Sequence, residues 1–136
     1  MGYLLDTTTA SYVMDGTEAV ARRLRITLDS ELVYTSVITE GELLAGAMRM
    51  GRSRRDEILE QVNLLLGDLT AIITVTRDVA SRYAWLRRDL EARGKTMGVN
   101  DLWIASIAVA NDLTLVAHDK GFQRVEGLKL EDWLEP

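Results

Sequence analysis

Short apolar runs alternate with segments of helical period along almost the whole chain, and few architectures accommodate that alternation. The runs are GYLLD (2–6), ELVYTS (31–36), AIITV (71–75) and LTLVAHD (113–119), with a weaker fifth in LKLEDW (128–133). Their length and branched apolar content suit strands. Between them, apolar residues recur three or four positions apart. Val20, Leu24 and Leu28 mark a helix over 17–29, with Thr17 as its expected cap. Ile58, Val62, Leu65, Leu66 and Leu69 mark a second over 54–69. Val79, Tyr83, Leu86 and Leu90 mark a third over 78–93, which Gly94 ends. Further helices are expected over 7–15, 37–50 and 100–111. The last reads NDLWIASIAVAN and is apolar almost all round, so it is expected to be buried. Strands separated by helices imply βαβ units. The expected fold is therefore α/β, with a central, mostly parallel sheet of four to five strands covered by helices on both faces. At 136 residues, one domain (1–136) is expected.

Composition removes several chemistries. There is no cysteine, hence no disulfide, thiolate zinc site or cysteine nucleophile. The single histidine, His118, rules out a histidine pair. A net charge of −5, taken alone, argues against nucleic-acid binding, although carboxylates gathered around a cation lower the charge without altering the rest of the surface. No run of about 18 uncharged apolar residues is present to span a membrane. The N-terminus enters an apolar strand with no basic region or cleavage-site pattern before it, so a cytoplasmic location is expected.

The acids carry the chemical signal. In open α/β sheets, ligands bind beyond the carboxyl ends of the strands. Asp6 closes the first strand and Asp119 the fourth. The ordinary role of an aspartate there is a turn residue or helix cap. Asp101 opens the buried helix and shares a face with Ile104, Ala105 and Ala108. It can serve the helix dipole, but Asn100 already offers a cap, and a carboxylate on an apolar face needs a partner. On the helix over 37–50, Glu40 and Glu42 are both candidates, and helical pattern does not choose between them. Carboxylates about 4 Å apart repel by about 4 kcal/mol per pair at an effective dielectric of 20. A divalent cation relieves that repulsion, and all-oxygen donors favour Mg²⁺ or Mn²⁺ over zinc. An aspartate pair after the first strand together with one ending the third would suit a phosphate-accepting receiver. The third strand here runs into Thr74–Thr76, which opposes that reading.

These residues resemble the motifs of PIN domains. LLDTTTAS (4–11) is similar to the family's opening LLDTN-type motif, and TSVITEGELLAG (35–46) to its second-strand-to-helix motif, whose register selects Glu42 over Glu40. GVNDLWIASIA (98–108) resembles the G-x-x-D motif of the central helix, and LTLVAHDKGFQRVEGLKLEDW (113–133) the closing segment. Compact size and this ending look most like the VapC branch, the toxins of VapBC toxin–antitoxin pairs. The resemblance implies a three-layer PIN-like fold and a Mg²⁺-dependent endoribonuclease whose acids match Asp6, Glu42, Asp101 and Asp119. Asp6, Asp101 and Asp119 would hold the ion, with Glu42 binding directly or through water, and Thr7, Thr8, Thr39 and Asn100 in support. Metal-activated water would leave a 3′-hydroxyl and a 5′-phosphate. A cognate VapB-type antitoxin that blocks the site, and a homodimer, are also implied. Two positions depart from the pattern: Thr8 stands where the family commonly has Asn, and Ala117 where it often has Ser or Thr. The alternative is accordingly a catalytically weak or inactive PIN-like module that binds RNA or protein.

RNA needs cations. Arg49, Arg52, Arg54 and Arg55 are the better candidates, because their segment adjoins the helix of Glu42; Arg22, Arg23 and Arg25, and Arg82, Arg87 and Arg88, suit solvated faces. Trp85 lies off its helix's apolar stripe and suits a partner contact. His118 should point away from Asp119, since side chains alternate along a strand.

Overall fold

Every strand of the computed structural model, which describes residues 2–135, pairs in parallel with its neighbours. The chain runs β1 (Gly2–Leu5), α1 (Thr7–Met14), α2 (Glu18–Leu28), β2 (Leu32–Ser36), α3 (Val37–Met48), α4 (Arg52–Asp68), β3 (Ala71–Ile73), α5 (Arg77–Ala92), α6 (Val99–Ala110), β4 (Thr114–Val116), a 3-10 turn (Lys120–Arg124) and β5 (Leu130–Glu131). The sheet order is β3-β2-β1-β4-β5. The strand order reverses at β1, with β2 and β3 on one side and β4 and β5 on the other. A crevice between the carboxyl ends of β1 and β4 follows from that reversal, and it is where ligands bind in such sheets.

Alternation along the strands divides the core in two. Leu4 and Leu115 face one layer, packed with Val79 of α5 and Ile104, Ile107 and Ala108 of α6. Leu5 and Val116 face the other, packed with Ala10, Val20, Leu24, Leu43, Val62 and Leu65 of the first four helices. The three layers are those expected of the alternating sequence. Ile104 is fully buried against the sheet. Ile104→Ala is expected to cost about 2–5 kcal/mol in urea unfolding with an unchanged slope, and a loss below 1 kcal/mol would show that this helix is not packed as described.

Differences from the sequence expectation are local. β3 stops at Ile73, not residue 75, because its partner β2 ends at Ser36, whose hydroxyl accepts from the Thr39 amide and starts α3. β4 stops at Val116, not 119, because the Asp119 carboxylate accepts from the Gly121 amide and begins a turn. α5 starts at Arg77 behind a Thr76 cap, and α4 starts at Arg52, earlier than its apolar stripe. Thr17 precedes α2, but its side chain makes no capping hydrogen bond. Asn100 does not cap α6; Gly98 occupies that position and Asn100 lies inside the first turn.

Candidate functional site

Asp6 leaves β1 at the crevice and caps α1, its Oδ1 accepting from the Thr9 amide at 2.8 Å. The Thr9 hydroxyl donates to the Val116 carbonyl at 3.0 Å, which ties the start of α1 to the end of β4. Asp6 is only 3% exposed. Burial pushes its carboxyl from 3.8 up to about 6; the Thr9 hydrogen bonds oppose this, and the charges of Asp101 and Asp119 add to it. Asp101, half-buried in the first turn of α6, is also raised, by burial first and then by Glu42 and Asp119. The four acids therefore sense one another across the carboxyl ends of β1 and β4. Asp119 lies at the exposed rim, where its Oδ1 accepts from the Gly121 amide. A Cβ at Gly121 would come within 3.2 Å of that oxygen, so glycine leaves room for the carboxylate to fold back. Asp6 and Asp119 are thus caps as well as crevice acids, and the two roles coexist.

Glu42 is held on both oxygens. Its Oε1 accepts from the Thr7 hydroxyl at 2.5 Å, and its Oε2 faces the Asn100 amide nitrogen at 3.4 Å. The Thr7 oxygen lies 3.1 Å from that of Thr39, which in turn lies 3.5 Å from the Ser36 hydroxyl. Three hydroxyls so form a chain that ends on the Glu42 carboxylate. Thr8 is exposed and takes no part. Sequence reasoning named Thr7, Thr39 and Asn100 as supports but missed Thr9 and Ser36; the cap positions after β1 and β2 were the available signal.

Among the described residues, none of the four acids is paired with a Lys, Arg or His. A buried aspartate with two acids beside it and no protein cation suits a cation from outside. The donors are carboxylates supported by hydroxyls and an amide, the chemistry of a hard divalent ion. The acids are not drawn into a tight cage, because Glu42 is turned to Thr7 and Asn100 and Asp119 onto Gly121. The described group whose ligand atoms all lie within 4.8 Å of one another is a different one, His118, Asp132 and Glu135. His118 Nδ1 lies 2.7 Å from Asp132 Oδ2, so its ring is engaged with the C-terminal segment.

Of the four arginines singled out, Arg49 lines a groove with Glu42. Arg54 is paired with Glu57 at 2.8 Å, Arg55 is partly buried, and Arg52 is exposed at the start of α4. Trp85 is 74% exposed.

Comparison with known proteins agrees with the fold. Residues 3–128 match the PIN domain family. Ribonuclease VapC1 of Haemophilus influenzae is 30% identical over 135 residues, covering 98% of each chain. Ribonuclease VapC5 of Mycobacterium tuberculosis is 31% identical over 131 residues, covering 90% of this chain and 93% of that protein. Among solved structures, VapBC2 of Rickettsia felis bound to a promoter DNA fragment superposes with a TM-score of 0.91 at 29% identity, covering 98% and 99% of the two chains. VapBC-1 of nontypeable Haemophilus influenzae does so with a TM-score of 0.88 at 28% identity, covering 99% and 100%.

Proposed function

The chain belongs to the PIN domain family, and from that premise we propose that it is a divalent-metal-dependent endoribonuclease, the toxin of a VapBC-type pair. The observation that carries the reading is the group of Asp6, Asp101 and Asp119 at the sheet's reversal point, where Asp6 and Asp101 are both raised by burial and by the charges of neighbouring acids. Relatives named ribonucleases, matched over 90% or more of this chain, support the RNA substrate, and neighbours solved as VapBC complexes support a cognate antitoxin. Among the described residues no helix is long and apolar enough to cross a membrane, which fits action on RNA in the cytoplasm. Self-association as a homodimer is part of the same proposal, and exposed Trp85 is a suitable contact for either protein partner.

Asp6, Asp101 and Asp119 would hold the cation, Mg²⁺ or Mn²⁺, with Glu42 binding it directly or through water. When bound, the ion supplies positive charge at the phosphate and makes water acidic enough to attack near neutral pH. The Thr9 amide orients Asp6, the Gly121 amide orients Asp119, and Thr7 with Asn100 orients Glu42. Arg49 sets a cation within reach of the RNA backbone on the Glu42 side. Water as the nucleophile leaves the 2′-hydroxyl unused. End-labelled RNA should therefore be cut to 3′-hydroxyl and 5′-phosphate ends, and 2′,3′-cyclic phosphate products would refute the mechanism.

Thr7 supplies the nearest hydrogen bond to Glu42, so Thr7→Val should slow cleavage about 10–100-fold, as losing a group that orients a ligand does. Thr7→Ser restores the hydroxyl and should recover most of the rate. Equal rates for Val and Ser would remove Thr7 from the site.

One observation favours a second reading. Ala117 offers no hydroxyl near exposed Asp119, and Thr8 does not point its hydroxyl into the hydrogen-bond set. A module that binds RNA or protein without cutting would explain both. RNA binding by the wild type with no cleavage in Mg²⁺ or Mn²⁺ would establish it.

A further inference from the structure

α3 carries Ile38, Gly41, Glu42 and Ala45 on one face, at the three- and four-residue spacing that lines up side chains along a helix. With Val37, Thr7, Asn100 and Arg49 they line an open groove of about 530 Å³. One end is the Glu42 carboxylate. The other is Arg49, whose backbone lies seven residues on, about 10 Å along the axis. The floor between is small and apolar.

Gly41 sits inside this helix, where glycine costs about 1 kcal/mol relative to alanine. A Cβ there would meet no atom within 4 Å, so packing within this chain does not call for a glycine. At Gly46 the nearest atom is the Arg49 guanidinium at 4.0 Å, which lies folded along the same helix. The groove floor at Gly41 is thus at backbone level, open to something flat, and the cation beside it has no acidic partner among the described residues.

We propose that this groove seats the nucleotide next to the bond that is cut, its base against Ile38, Gly41 and Ala45 and its phosphate on Arg49. The assignment rests on the ribonuclease reading. Charge selects the occupant and its direction: the phosphate is repelled by the Glu42 end and attracted to the Arg49 end, while the uncharged base face covers the apolar floor. A nucleotide held there fixes the register of the strand with respect to the acids.

The test is fluorescence anisotropy with the full chain and a 5′-labelled mixed-sequence 12-mer RNA in Ca²⁺, repeated across a salt series. Arg49→Gln should weaken binding and make the dependence of log K on log salt shallower by about 0.7, the loss of one phosphate contact on a single strand. Gly41→Leu should weaken binding about tenfold with the salt slope unchanged, because it fills space without removing charge. Gly41→Ala should bind within about twofold of wild type. The two variants at 41 should melt at or above the wild-type temperature, since a side chain there enters open space, and Arg49→Gln should melt close to it, since Arg49 holds no ion pair among the described residues. Wild-type affinity in both Arg49→Gln and Gly41→Leu would overturn the assignment, as would weakening by Arg49→Gln with no change of slope. If those variants bind RNA normally but escape inhibition by the antitoxin, the groove belongs to that protein and the nucleotide assignment is overturned. No RNA binding by the wild type would instead bring down the ribonuclease reading itself.

Discussion

Asp101→Asn is expected to lower RNA cleavage about 10³-fold while raising the melting temperature of the metal-free protein. Both effects have one cause. Asp101 is pushed up by burial and by Glu42 and Asp119, so it is the carboxylate that senses both sides of the crevice. Removing its charge relieves repulsion that the folded chain bears without a cation. It also removes one of the proposed ligands, and several kcal/mol of lost charge stabilisation at the phosphate would correspond to about three powers of ten in rate. Asparagine is close to isosteric and the α6 backbone does not depend on the carboxylate, because Gly98 is the cap. Activity and thermal scans on the same preparation decide the matter. A variant that loses activity and stability together would mean that Asp101 is a structural acid.

The stability of the metal-free protein should fall as pH rises from about 4 to about 6. Asp6 titrates at about 6 in the folded chain and near 3.8 when exposed. Between those values the folded state binds the extra proton, so unfolding becomes easier with increasing pH. The Asp6 contribution is fully present below about 4 and lost above about 6. The gap corresponds to about 3 kcal/mol for a group this buried. Asp101 is displaced in the same direction and deepens the fall. Asp6→Asn keeps an oxygen to accept the Thr9 amide, so it should flatten this pH dependence and raise stability at pH 7. Mg²⁺ should stabilise the wild type at pH 7 by mass action and leave Asp6→Asn nearly unaffected. Urea midpoints at pH 4, 5, 6 and 7, with and without Mg²⁺, measure all of this. A stability that rises from pH 4 to 6 would contradict the electrostatic account of Asp6.

Much of this was legible in the residues, because burial writes itself into apolar spacing. The runs at 2–6 and 113–119 and the all-round apolar segment at 100–111 are visible because β1, β4 and α6 sit in the middle of three layers. Strand ends were less legible. Residues 74–75 and 117–119 continue the strand composition, yet the structure leaves the sheet there because Ser36 and Asp119 use local hydrogen bonds instead. Asp6 and Asp119 looked ordinary in sequence for the reason that they are ordinary caps; their second role depends on β1 and β4 being neighbours, and pairing between positions more than a hundred residues apart leaves no local trace. Helical period could not separate Glu40 from Glu42. Motif register did, and the structure shows Glu42 held by Thr7 and Asn100, from two other helices. The role expected of Asn100 as a cap was displaced by one turn chemistry over another: Gly98 adopts the cap geometry and frees Asn100 to reach across to Glu42. The close grouping of His118, Asp132 and Glu135 was also unreadable, since it depends on β5 pairing alongside β4.

The central claim is that Asp6, Glu42, Asp101 and Asp119 together hold a cation that cuts RNA. It is tested most directly by incubating purified protein with total RNA in three parallel reactions: wild type with Mg²⁺, wild type with EDTA, and Asp101→Asn with Mg²⁺. The account predicts cleavage in the first alone. Equal cleavage in all three would contradict it.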